Sequence, residues 1–246
     1  MPLKRRMLWA FLVLLLFSTG LFAADNATAR YFVIFLRPDP GRKSLTKADG
    51  ERIQSAHMAN IHKMAQDGVL IAAGPFEDTP TTISGIFVFK TDSLATAQKI
   101  AAQDPTVVEH RNTVDVHAWE GPAGIGEEYF LLHKLHPKAP ENMQVHPFCM
   151  VFHGPAWGNS TRQQSAWMQQ HKDYVEQLRA QGKLGAAGPI ENSGEGDSGD
   201  FVGLVIFRPI LDAEAKDLME ADPAVKAGAL RVEYHRWWSS DHVLPW

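Results

Sequence analysis

Cysteine is nearly absent: Cys149 is the only one in 246 residues, so no intramolecular disulfide can form. It lies in the apolar run Phe148–Phe152, which reads as a buried strand, and a thiol there serves packing. The fold must therefore stand on its hydrophobic core, and a hydrophobic content of 45% is enough for one. Positive charge is also scarce. Lys and Arg number 24 against 28 Asp and Glu, which excludes the basic face that a nucleic-acid partner requires. After residue 23 no apolar run resembles a membrane-crossing helix. There is no glycine-rich phosphate loop, no Gly-x-Ser-x-Gly and no dinucleotide fingerprint, so no cofactor is expected.

What is present begins with a leader. Lys4, Arg5 and Arg6 precede the apolar run Met7–Phe17 and then Ser18-Thr-Gly-Leu-Phe-Ala23, the order of a secretory signal. The competing reading is an uncleaved anchor, which needs roughly 20 apolar residues, more than Met7–Phe17 supplies. No cysteine stands near the cleavage point for lipid attachment. Cleavage after Ala23 would leave 21 cations against 28 acids, a net charge of −7, on a periplasmic or secreted chain with no membrane attachment.

The remainder contains one pattern twice. His57 to Gly68 and Ala72-Ala-Gly-Pro75 return, 114 residues later, as His171 to Gly182 and Ala186-Ala-Gly-Pro189. After a four-residue insertion the offset is 118, which aligns Gly85 with Gly203, Asp104-Pro105 with Asp222-Pro223, and His117 and Trp119 with His235 and Trp237. So long a period means tandem small domains, not a solenoid. The expected divisions are the signal at 1–23, a first repeat at 24–120, a joining segment at 121–147 and a second repeat at 148–246.

Each copy reads βαββαβ. In the first, a β-rich run at Tyr31–Leu36 precedes a helix from about Asp49 to Asp67, stopped by Gly68. Val69–Ala73 and Gly85–Phe89 are extended. Ser93 caps a second helix running to Gln103, and the last strand lies in Val107–Trp119. This is the split-βαβ, ferredoxin-like unit, whose free sheet face must be covered. Two copies can cover each other. In the Gly- and Pro-rich joining segment, Glu128–His133 reads as an extra strand, and the insertion Glu191–Asp200 as an acidic loop.

His57 stands between Ile53 and Ile61 on the apolar stripe of the first helix, and His171 holds the same slot between Trp167 and Val175. Their neighbours differ between copies, Met58 becoming Lys172 and Asn60 becoming Tyr174. Either both histidines are structural, bonded to backbone, or both are functional. Asp104 and Asp222 are the second shared polar group, each ending its helix before a proline. A carboxylate at a helix C-terminus opposes the dipole, and a nearby imidazole would compensate; the alternative is a simple Asp-Pro turn. A His–Asp pair would make an acid/base couple, with Asp fixing the tautomer of a His that moves a proton. Glu77 and Glu191 follow each Gly-Pro and either line the same pocket or are ordinary loop acids. His117 and His235 share a strand face with Trp119 and Trp237, as pocket wall or as packing. The eleven histidines offer no metal site: His57 and His62 are five apart, His62 becomes Glu176 in the second copy, and His133 and His136 have no partner set.

Ala56-His-Met-Ala59, Gly68, Ala73-Gly-Pro75 and Asp104-Pro105, with Gln170-His171, Gly182, Ala187-Gly-Pro189 and Asp222-Pro223, resemble the YciI-like (YCII-related) family over about Tyr31–Trp119 and Phe148–Trp237. The resemblance implies a dimeric α/β-barrel and an active site centred on His57 with Asp104 and His171 with Asp222. Related barrels include muconolactone isomerases, and one YciI-like member is a dehydrochlorinase acting on a chlorinated hydroxyquinol. The chain departs from the family in its leader and its fusion. The expectation is an α+β protein in which two ferredoxin-like repeats face each other as an intrachain barrel, monomeric or homodimeric. It would be either a cofactor-independent lyase or isomerase acting on a small molecule, or a non-catalytic module binding a ligand or an envelope protein.

Overall fold

The computed structural model describes residues 27–80, 82–191 and 199–245. The leader at 1–23 and the centre of the acidic insertion, 192–198, lie outside them. In the first repeat, β1 (Thr28–Pro38), β2 (Leu70–Pro75), β3 (Gly85–Phe89) and β4 (Asn112–Pro122) are antiparallel, in the spatial order β2-β3-β1-β4. On one sheet face lie α1 (Lys47–Gln66) and α2 (Leu94–Ala101), followed by the single turn α3 (Pro105–Val108). α1 ends as its sequence dictates. Gly68 takes φ +73°, its N–H bonds Ala65 O and the next N–H reaches back to Met64 O, a Schellman closure that a side chain at Gly68 would strain. Ser93 caps α2 by accepting from the Thr96 N–H at 3.2 Å.

The second repeat repeats this plan. β5 (Met143–His153), β6 (Leu184–Glu191), β7 (Phe201–Phe207) and β8 (Leu230–Ser240) carry α5 (Thr161–Ala180), α6 (Asp212–Glu220) and α7 (Pro223–Lys226). Alternation along the strands divides the side chains between two layers. Phe32, Ile34 and Leu36 lie beneath α1 and α2, and Cys149 and Val151 join the layer with the α5 residues Val175 and Leu178. Tyr31, Val33 and Phe35 face the other way and meet Phe148, Met150, Leu204 and Ile206 of the second repeat in one shared interior.

The sheets join at two equivalent seams. β4 pairs with β6 at Ala118↔Glu191 and Trp119↔Ile190, and β8 bridges to the end of β2 at Trp237↔Phe76. The Glu77 N–H also donates to Arg236 O at 2.9 Å. The eight strands therefore close into a barrel within one chain, with the helices outside. Trp119 and Trp237 are fully buried at these seams; burying an indole removes about 200 Å² from water, on the order of 5 kcal/mol before entropy is counted. The Ala-Gly-Pro motif explains itself here. A Cβ on Gly188 would stand 1.8 Å from Glu120 O, and one on Gly74 would stand 2.0 Å from Trp238 O. Only glycine lets the two backbones approach so closely.

The joining segment differs from expectation in two places. Glu128–His133 is not a strand but part of a helix, α4 (Glu127–Leu135), opened by Gly126 at φ +79° with Glu127 and Glu128 in its first turn and His133 and Lys134 in its last, charges that suit the dipole. β5 also starts at Met143, so Pro147 falls inside the strand, opposite Arg236 of β8 and one residue before the pairing with β7 begins. Proline removes a ladder donor there, and the buried His146 ring beside it donates from Nδ1 to Phe207 O at 3.0 Å. Burial lowers the His146 pKa, which keeps the ring neutral.

Gly188→Ala and Gly74→Ala should each cost at least about 3 kcal/mol in urea unfolding, because a seam must open to admit the methyl. Gly50→Ala, where the new Cβ meets nothing within 4 Å inside α1, should stabilise by up to about 1 kcal/mol. Equal effects at all three positions would contradict the seam geometry.

Candidate functional site

The two His–Asp pairs form, and their setting differs from a helix C-terminus. Asp104 leaves the end of α2 extended and becomes the N-cap of α3, with Pro105 at the first helical position. Proline there loses no needed N–H, and the carboxylate sits at the positive end of the turn. Asp104 accepts from Thr106 N at 2.9 Å, Thr106 Oγ1 at 2.6 Å, Asn60 Nδ2 at 3.1 Å and His57 Nδ1 at 2.8 Å. Asp222 caps α7 in the same way, accepting from Ala224 N at 2.8 Å and His171 Nδ1 at 2.6 Å. Each pair thus ties the long helix of its repeat to the turn after the second helix.

Both carboxylates are fully buried, while the imidazoles keep 13% (His57) and 10% (His171) of their side-chain surface. Burial alone would raise the Asp104 pKa. Hydrogen bonds from His57 and Thr106, the His57 charge and the Asn60 amide outweigh it, holding the carboxyl below its ordinary 3.8. In the neutral tautomer, a carboxylate accepting at Nδ1 places the ring proton there and leaves Nε2 as the acceptor. No described residue hydrogen-bonds Nε2 of His57 or His171. The His57 ring lies over Phe87, centroids 5.8 Å apart.

A separate cleft of about 580 Å³ opens where the β2–β3 loop of the first repeat meets β5, β8 and α6 of the second. Of the residues singled out from sequence, Glu77 and His235 line it. Four further ionisable lining residues, which sequence reasoning missed, stand beside them: Asp78, Asp212, Tyr234 and Arg236. Asp78 accepts from His235 Nδ1 at 2.5 Å and from Arg236 N at 3.0 Å. The Arg236 guanidinium spans Asp212 and Glu77, and the Asp212 bond above all raises its pKa. Burial pushes the Tyr234 phenol up to about 12, so its hydroxyl stays a donor.

Glu191 and His117 do not line this cleft. They sit at the other seam, where Glu191 pairs with Arg30 at 2.7 Å and His117 Nε2 with Asp115 at 2.7 Å. Burial would raise the Asp115 pKa, but its bonds to His117 and Arg37 lower it below the ordinary value. A smaller cavity of about 190 Å³ lies between α4 and the end of β8, beside His133, His136, Glu141, Asp241 and His242. Among the described residues, no three His, Cys, Asp or Glu side chains converge as metal ligands. Neither cavity is lined by His57, Asp104, His171 or Asp222.

The family model of the YCII-related domain matches the chain twice, at residues 31–120 and 149–238. Similar solved structures include a mutant chlorite dismutase from Candidatus Nitrospira defluvii, with a TM-score of 0.54 at 10% identity, over 87% of this chain and 92% of that one. The same enzyme in complex with imidazole gives a TM-score of 0.52 at 10% identity and the same coverage. A heme-binding protein from Thermus thermophilus gives 0.48 at 13% identity, over 87% and 94%. At such identities the likeness concerns the fold, an antiparallel α/β barrel built from two ferredoxin-like halves. No curated protein matches the chain.

Because the folded Asp104 carboxyl titrates below 3.8, its stabilisation is complete above that pH and disappears as pH falls through the lower, folded value. Asp104→Asn should therefore destabilise the protein at pH 7 and flatten the acid limb of its stability curve below about pH 4. An unchanged acid limb, followed by denaturant unfolding at stepped pH, would show that Asp104 does not couple to folding in this way.

Proposed function

The chain belongs to the YCII-related family, and from that premise we propose that it is an exported protein acting on a small molecule, in which His57 and His171 transfer protons. The observation that carries this reading is the state of the two rings. Each has Nδ1 fixed by a buried carboxylate and Nε2 without a protein partner, in both repeats alike. That is the arrangement of a general base whose tautomer is set by an acid behind it. Asp104 and Asp222 orient the rings, while Nε2 takes a proton from an acidic C–H. An isomerase returns it elsewhere on the same molecule; in a lyase the C–H electron pair forms the new double bond as the leaving group departs, and the proton passes to solvent. A cofactor-independent isomerase or lyase needs no more than this.

Haem, named for the Thermus thermophilus protein, fits this chain poorly. Phe35, Phe76, Phe148, Phe201, Trp119 and Trp237 fill the barrel interior, none more than 6% exposed. In the seam cleft, Glu77, Asp78 and Asp212 would face its propionates.

One observation favours a second reading. The Asp carboxylates are fully buried and occupied by cap bonds, as in a staple between helices. Export is supported by the leader pattern at 1–23, and no described helix is long and apolar enough to cross a membrane.

The decisive experiment incubates the protein in deuterated water with lactones of the muconolactone type and with chlorinated hydroxyquinols, following C–H exchange or chloride release by NMR. His57→Asn with His171→Asn should reduce the rate by about 100-fold or more while the thermal midpoint holds. A loss of several kcal/mol of stability in place of a rate effect would establish the staple. N-terminal sequencing of protein collected from the periplasm should begin at Ala24. An N-terminus at Met1 in the membrane fraction would refute cleavage.

A further inference from the structure

The seam cleft is made by both repeats and is independent of the His–Asp pairs described above. Its charge is one-sided. Glu77, Asp78 and Asp212 contribute three negative charges against the single guanidinium of Arg236, which is already shared between Asp212 and Glu77. His235 lines the same space, its side chain only 8% exposed. Its Nδ1 is held by Asp78, while its buried Nε2 meets no protein partner. A buried polar atom left alone costs roughly 1–3 kcal/mol, a cost that a hydrogen-bonding ligand group would remove. Pro80 and the exposed Tyr234 ring supply an apolar surface beside these groups, and a cleft of about 580 Å³ is of the size that takes small organic ligands.

The first repeat lacks most of this equipment. At the 118-residue offset, Tyr234, Arg236 and Asp212 correspond to Val116, Ala118 and Leu94. Glutamate and histidine persist at both seams, as Glu77 with His235 and Glu191 with His117, whereas Tyr234, Arg236 and Asp212 have apolar counterparts.

We propose that this cleft is a binding site for a small organic cation, a protonated amine carried on an aromatic or similarly flat apolar body. Glu77 and Asp212 face the ammonium group, the Tyr234 ring receives the body, and His235, held by Asp78, meets a hydrogen-bonding substituent at Nε2. The anions are tethered through Arg236, so they are arranged before the ligand arrives and less conformational freedom is lost on binding.

Calorimetric titration with three probes of matched shape, phenethylamine, phenethyl alcohol and hydrocinnamate, tests the assignment. Phenethylamine should bind saturably and about tenfold tighter than the alcohol, with hydrocinnamate weakest. Glu77→Gln and Asp212→Asn should each weaken the amine several-fold. Both side chains are more than 40% exposed, so these variants keep the fold, which an unchanged thermal midpoint verifies. His57→Asn with His171→Asn should leave phenethylamine binding intact, which separates this site from the proton-transfer reading. The proposal is overturned if the alcohol binds as tightly as the amine, if the amine shows no saturable binding, or if both carboxylate variants bind it unchanged.

Discussion

Each repeat has one sheet face that its own helices do not cover, and the whole molecule follows from the need to bury it. Tyr31, Val33 and Phe35 from one repeat and Phe148, Met150 and Ile206 from the other form a single interior, so neither sheet is complete without its partner. Closure brings the Trp119 indole against the backbone of the opposite repeat, where its Nε1 donates to Gly188 O at 3.2 Å. The tryptophan and the Ala-Gly-Pro motif are two halves of one contact. Their recurrence in both copies reflects packing across the seams before any question of chemistry arises.

The same closure creates the polar cleft. His235 and Asp78 stand 157 residues apart in the chain and become hydrogen-bonded only because β8 arrives beside the end of β2. The His57–Asp104 and His171–Asp222 pairs are assembled differently, within one repeat and outside the barrel, by the packing of a long helix on a capped turn. The protein thus carries two kinds of titratable pair, one local and duplicated, the other crossing the seam between the repeats.

This difference explains what could be read from the residues alone. Strand alternation in Tyr31–Leu36, the helical stripe Ile53-His57-Ile61, the Ser93 cap and the Gly68 stop are local signals, and the elements they mark are present. The barrel was legible because the duplication supplied a second apolar face of the same shape. The proximity of His57 to Asp104 was legible because both positions recur together. The setting of Asp104 was not: proline was read as ending a helix, whereas Pro105 also begins the next turn and makes Asp104 its cap. Glu128–His133 misled because a short apolar run with few charges fits either a strand or a helix, and the choice fell to Gly126 and the charges at its two ends. Asp78 and Arg236 gave no sequence signal, since their meeting depends on the register between repeats.

The seams also decide how the protein comes apart. Among the described residues their backbone pairing comprises two positions between β4 and β6, one bridge between β8 and the end of β2, and the Glu77 N–H to Arg236 O bond. If the halves were separate chains, a joint of that kind would be governed by mass action and lost on dilution. Here the segment from Ala123 to Asn142 keeps the halves at an effective concentration on the order of millimolar however little protein is present. Dilution therefore does not separate the halves, and opening of the joint exposes on each the apolar face that the other covers.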